Sequence, residues 1–213
     1  MKLRLLCLLL VFTFILSGCR KELPPEEMRY DIPENFIQLP FYSMTEGERL
    51  GQNHAYPTET VYTLEGLPRE QFLCLKKGND KTSLNYLWIQ KDAAEPILQY
   101  EVEKVEITQT GNETMTLTDK TLITRLFAGL RDGDGQKIED SSPKLPNASA
   151  HFALPCELIW LFGINVDEEG RALLFYHDAK KDEWYQYDVT DILSGIEGLV
   201  LPSPHTQREE PET

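Results

Sequence analysis

Five consecutive apolar residues, Leu158, Ile159, Trp160, Leu161 and Phe162, constrain this chain more than any other feature. A strand points successive side chains to opposite faces, so this run needs cover on both sides. It therefore reads as a central strand in a layered fold. The flanking sequence supplies the layers. Downstream, Asp167, Glu168, Glu169 and Gly170 turn the chain into a strand at 172–177, and residues 178–182 turn it again into a strand at 183–189. A short helix from about Thr190 to Ile196 closes this meander. Upstream, a short strand at 61–64 ends at Gly66. Apolar runs at 71–75 and 84–89 then flank the turn-forming segment 77–80, which is a hairpin signal.

A second hairpin can be assigned with its register. Val105 and Ile107 alternate with charged residues, Met115 and Leu117 alternate with threonines, and Thr110, Gly111 and Asn112 between them are turn formers. A turn centred on Gly111 sets Ile107 opposite Met115 and Val105 opposite Leu117, all on one face. The clearest helix follows. Thr118 or Asp119 can cap it. Leu122, Ile123, Leu126, Phe127 and Leu130 form an apolar stripe at helical spacing, and Gly133 can end it. Residues 132–147 read as a long polar loop. The expected class is α+β: a mainly antiparallel β-sheet of hairpins plus a C-terminal meander, with one amphipathic helix at about 119–131 and a short C-terminal helix.

The N-terminus follows a different pattern. Lys2 and Arg4 precede an apolar run from Leu5 to Leu16, interrupted by Thr13 alone, and then come Ser17, Gly18 and Cys19. A positive start, a short apolar middle and a small-residue cleavage zone are the parts of a secretory signal. A helix of about 12 residues spans roughly 18 Å, whereas a bilayer core of about 30 Å needs about 20 apolar residues. Leu16, Ser17, Gly18 and Cys19 resemble a lipobox, the signature of bacterial lipoproteins. That resemblance covers the first 19 residues. It implies removal of residues 1–18, a diacylglyceryl group on the Cys19 thiol, and a place on the extracytoplasmic face of the cell membrane. Two acyl chains give stable attachment where one gives marginal binding. Arg20 follows, and not the Asp that tends to retain such proteins at the inner membrane of organisms with two membranes. The whole layout, with a helix opening on Thr118, Asp119, Lys120 and Thr121, is similar to small uncharacterised lipoproteins of Gram-positive bacteria.

The expected organisation is a signal peptide at 1–18, a tether rich in Pro and Glu at 19–54, a single α+β domain at 55–201 and a disordered tail at 202–213. The formal charge is -14, and loss of Lys2 and Arg4 with the signal makes it more acidic still. Such acidity disfavours nucleic acid as a partner. Cys7 leaves with the signal, so Cys74 and Cys156 are the thiols beyond the lipid-bearing Cys19. A disulfide between them and two buried free thiols both remain open.

No residue is assigned a catalytic, cofactor or metal role. The cysteines and histidines lack metal-ligand spacing. Asp132, Gly133, Asp134 and Gly135 hint at a calcium loop, but its register puts glycine at the fourth position and Gln136 at the fifth, so a solvated loop is the better reading. His54, His151, His177 and His205 form no i, i+4 pair, although His177 could pair with Asp178. Ser141 and Lys144 have Ser-x-x-Lys spacing inside a Pro-interrupted segment. The aromatic set Trp160, Phe162, Phe175, Tyr176, Trp184, Tyr185 and Tyr187 either forms an exposed interaction surface or packs both faces of the sheet, and packing is favoured. The expected function is a membrane-anchored, non-enzymatic module that binds an envelope protein or a small ligand. The alternative is an extracytoplasmic hydrolase whose site is assembled from residues distant in sequence.

Overall fold

A curled sheet and a larger layered sheet share one core in the computed structural model, which describes residues 28–78, 84–109, 111, 113–139 and 146–201. The expected signal peptide, Cys19, the expected tether up to residue 27 and the expected tail from 202 lie outside the described residues. Among the described residues no helix is long and apolar enough to cross a membrane.

The first sheet contains β1 (Arg29–Tyr30), β2 (Phe36–Leu39), β4 (Arg49–Asn53), β5 (Glu59–Tyr62), β6 (Phe72–Lys77) and β7 (Leu84–Gln90), ordered β1-β4-β5-β6-β7-β2. Its two edges, β1 and β2, are joined by residues 31–35 alone. Five strand spacings of about 4.8 Å would separate the edges of a flat sheet by roughly 24 Å. The stretch from Tyr30 to Phe36 reaches at most about 21 Å when fully extended, and the Phe36 N–H donates to the Pro33 carbonyl, which shortens it further. The sheet therefore curls, and residues 31–35 form a strap across its concave side. Phe36, Val61, Leu73 and Leu75 are buried inside the curl, with Tyr30 and Ile32 packed over them from the strap side. A glycine lets the Met28 segment approach β4 closely. The β4–β5 register slips between Arg49 and Gly51, and a Cβ on Gly51 would lie 2.6 Å from the Met28 carbonyl oxygen.

The second sheet runs β10 (Gln136–Ile138), β14 (Glu183–Asp188), β13 (Ala172–Asp178), β12 (Ile159–Val166), β11 (Ala148–Phe152), β8 (Val102–Thr108) and β9 (Thr114–Leu117), with β3 (Tyr42–Ser43) also paired to β12. Every strand pair given for it is antiparallel. The helices are short: α1 (Pro96–Gln99), α2 (Lys120–Leu126), α3 (Ala128–Asp132) and α4 (Thr190–Leu193). The convex face of the curled sheet, with Phe72, Cys74, Leu87 and Ile89, shares a core with Tyr42, Met44, Ile97, Cys156 and Leu158.

The class is thus mainly antiparallel β with short helices. The β8–β9 register matches the expectation residue for residue, with Ile107 opposite Met115 and Val105 opposite Leu117. Two expectations need correction. Residues 29–53, read as tether that becomes ordered towards Phe36–Tyr42, supply β1–β4, so the domain includes strands well before residue 55. Phe36, Leu39, Tyr42 and Met44 are all buried, but they are scattered among prolines and charges that hide their periodicity. The amphipathic helix is two helices joined at Phe127, whose backbone departs from helical values (φ -103°, ψ 7°). Its ring is fully buried, edge-on to Trp160 at 5.7 Å and to Phe162 at 5.6 Å. The capping reading holds, since Asp119 accepts from the Thr121 and Leu122 N–H groups. The loop at 132–147 contains β10.

Candidate functional site: an aromatic outer face

β12 divides the aromatic residues between two environments. On its helix-covered face Trp160 stacks on Phe162 at 4.7 Å, and both are buried. Tyr187 lies on the same face, and its hydroxyl donates to the Leu126 carbonyl (2.6 Å) where α2 ends. Tyr176 and Tyr185 stack at 5.4 Å and are half-buried. Packing therefore accounts for this subset.

Phe175 and Trp184 belong to the opposite face, together with His177, and all three are half-buried. Phe175 stands opposite Gly163 on β12, and Trp184 stands opposite His177 across β13–β14. Trp184 is flanked by the His177 ring at 5.1 Å and by Phe41 at 5.5 Å. Phe41 was not legible as part of this group. It sits in the tight β2–β3 connection, with φ 64°, a left-handed backbone that bulky residues rarely adopt. The Leu161 N–H donates to the Phe41 carbonyl (2.7 Å) and holds the turn there. That conformation turns an aromatic ring onto the outer face at a cost of order 1 kcal/mol or more.

His177 does not pair with Asp178. Its Nε2 lies 3.1 Å from Asp182 Oδ1 in the β13–β14 turn, and its buried Nδ1 has no hydrogen-bond partner. Asp178 instead caps its own turn by accepting from the Lys180 N–H (3.0 Å).

A second cluster occupies the β8–β11 half of this outer face. His151 Nε2 lies 2.9 Å from Glu106 Oε2 and 3.1 Å from Ser149 Oγ. Lys104 Nζ donates to Glu106 Oε1 at 2.5 Å. That hydrogen bond, and the His151 charge, hold the Glu106 carboxyl below its ordinary range. A serine, a histidine and a carboxylate suggest acyl-transfer chemistry. That chemistry needs the imidazole to hold the carboxylate on one nitrogen and the nucleophile on the other. Here both oxygens converge on Nε2, so the cluster is a polar ladder across neighbouring strands. Sequence spacing gave no hint of it, because Glu106 and Ser149 meet only through β8–β11 pairing.

No family model, curated protein or solved structure was found to match the chain. The geometry alone must carry the functional reading.

The remaining candidate residues are structural in their surroundings. Cys74 and Cys156 are buried free thiols. Burial pushes the Cys74 thiol up to about 12, with the Glu46 charge adding to it, and burial also raises Cys156. Neither is primed as a nucleophile, which would need a lowered value. Gly133 is the left-handed cap of α3, and Asp132 and Asp134 are exposed beside it. Among the described residues no three His, Cys, Asp or Glu side chains group as metal ligands. Among the described residues Glu95 is the carboxylic acid that its surroundings raise most. Burial, with the Asp178 charge added, pushes its carboxyl up to about 7 against the opposing Lys180.

Proposed function

We propose that this protein is a lipid-anchored module of the extracytoplasmic membrane face that binds an envelope partner through the outer face of β12–β14. One observation carries the reading: Phe41, held in a left-handed conformation, places its ring against Trp184 on the face opposite α2, and both rings are half-exposed. Core packing already has Trp160, Phe162 and Phe127 on the other side, so a second, half-exposed aromatic group fits recognition better than stability. Aromatic side chains are enriched at the centres of interfaces. Among the described residues, the arrangement that resembles hydrolytic machinery, Ser149–His151–Glu106, lacks the two-nitrogen relay, and this favours binding over the hydrolase alternative.

Two experiments test the two halves of the proposal. A photoreactive side chain at position 41 should give one discrete crosslinked species in cells, while the same group at position 104, on the polar half of that face, should give none. Equal yields from both positions would remove the aromatic face from the reading. For the anchor, Cys19→Ser should abolish lipid incorporation and leave the signal segment uncut. A variant still processed and still resistant to salt extraction from membranes would disprove the lipid attachment.

A further inference from the structure

A cleft of about 490 Å³ opens at the far edge of the second sheet, between the α2–α3 bend and β14. Its size is that of a small-ligand site. Tyr187, Leu173, Ile192 and Gly129 are among the residues that line it. A Cβ on Gly129 would come within 2.7 Å of the Tyr187 ring, so the α3 backbone must approach without a side chain.

Three features of the rim point to one kind of ligand. First, Arg125 lines the cleft and has no hydrogen bond or ion pair from its side chain to any described residue. Second, Asp134 lines the same cleft, and its carboxylate is equally unpaired; the two do not bridge one another. By contrast Arg171, also on the rim, is fixed by Asp167 at 2.7 Å and Glu169 at 3.3 Å. Third, the edge of β14 is open here. β10 pairs with β14 no further than Gln136 opposite Gln186. The Val189 N–H donates to the Ala172 carbonyl on β13, so by the alternation of an antiparallel ladder the N–H and C=O of Asp188 face away from β13, into the cleft. An extended backbone approaching that pair would lie beside residues 134–135, which lead into β10 while the Asp134 N–H is turned to the Gly129 carbonyl.

We infer that the cleft binds a short extended peptide, which adds to the β14 edge at Asp188 with its free carboxylate on Arg125 and its cationic end near Asp134. Addition of an extended chain to an open sheet edge gives affinity through main-chain hydrogen bonds. A guanidinium without a partner provides the planar, charge-assisted match for a carboxylate. This site is separate from the aromatic face and does not depend on it.

The test is thermal unfolding of the full chain, purified in detergent, with trialanine, trialanine amide and N-acetyl-trialanine. Trialanine should raise the midpoint by about 3 °C at ten times its dissociation constant. The amide, which lacks the carboxylate, should give no shift, and the acetylated peptide a smaller one. Arg125→Gln should keep the unliganded midpoint, because the side chain has no partner to lose, and should abolish the trialanine shift. No shift with trialanine at millimolar concentration, an equal shift with the amide, or a shift that survives Arg125→Gln would each overturn the assignment.

Discussion

Glu95 shows how much one side chain can control. It is charged in water at neutral pH, yet it is half-buried at the start of α1, where Asp178, Lys180, Tyr42 and Tyr176 sense its charge. Lys180 is drawn aside, donating to the Ala93 carbonyl at 2.5 Å. Its carboxyl moves from the ordinary 4.5 to about 7. Between those values the folded chain binds more protons at this group than the unfolded chain, so its contribution to stability falls as pH rises through the window and levels off above it. Glu95→Gln should remove that slope. At pH 8 the variant should be more stable than the parent by about 2 kcal/mol, and at pH 4 the two should coincide. Urea midpoints across pH 4–8 check this, and parallel curves would show that Glu95 is not the titrating group. The sequence offers Glu95 as one carboxylate among many. Its environment is made by Asp178 and Lys180, more than eighty residues away, and so could not be read.

Among elements, legibility tracks how local the determining contacts are. The β8–β9 hairpin was assigned to the residue because alternation and turn chemistry both lie within about fifteen positions. The helix was assigned by its stripe, but its bend at Phe127 was not, because the bend answers to Trp160 and Phe162 on a distant strand. β1–β4 were not assigned as strands, although order was expected towards Phe36–Tyr42, for a related reason: short strands in a Pro-rich stretch carry too few positions for a period to show. β4 also depends on a backbone feature. Gly51 has φ 151° and sits at a register slip. Gly51→Ala should cost about 1–3 kcal/mol, since the added methyl meets the Met28 carbonyl at 2.6 Å. The expected signature is a lower denaturant midpoint with an unchanged slope. An unaffected midpoint would mean that the Met28 segment is free to move aside.

At the scale of the whole molecule, the two sheets should unfold together. Cys74 lies on the curled sheet and Cys156 between β11 and β12 of the other, and both belong to the shared core. Each is almost fully shielded, at 0% and 1% exposure. Labelling by a thiol reagent should be at least about a thousandfold slower than in the unfolded chain, and both thiols should react at one common rate. Two separated rates would show that the sheets open independently, and no free thiol in the denatured protein would show that the pair is oxidised. The same shared core explains why the second layer was legible and the first was not. The central run at 158–162 announces a need for cover, but nothing local says that Tyr42 pairs opposite Trp160 or that the Leu161 N–H is held by the Phe41 carbonyl.

The strap at 31–35 gives the fold a mechanical character. Any tension applied upstream of Met28 is borne first by a few bonds: the Met28 and Tyr30 carbonyls accept from the Gln52 and His54 N–H groups, and β1 pairs with β4 over two residues. These bonds yield before the long antiparallel ladders behind them. Their release uncovers only the edge of β4. Further extension lifts Tyr30 and Ile32 off the curl and exposes Leu73 and Leu75 to water. The N-terminal segment thus behaves as a graded load limiter, in which a weak pull is absorbed at the rim and a strong one unplugs the apolar hollow.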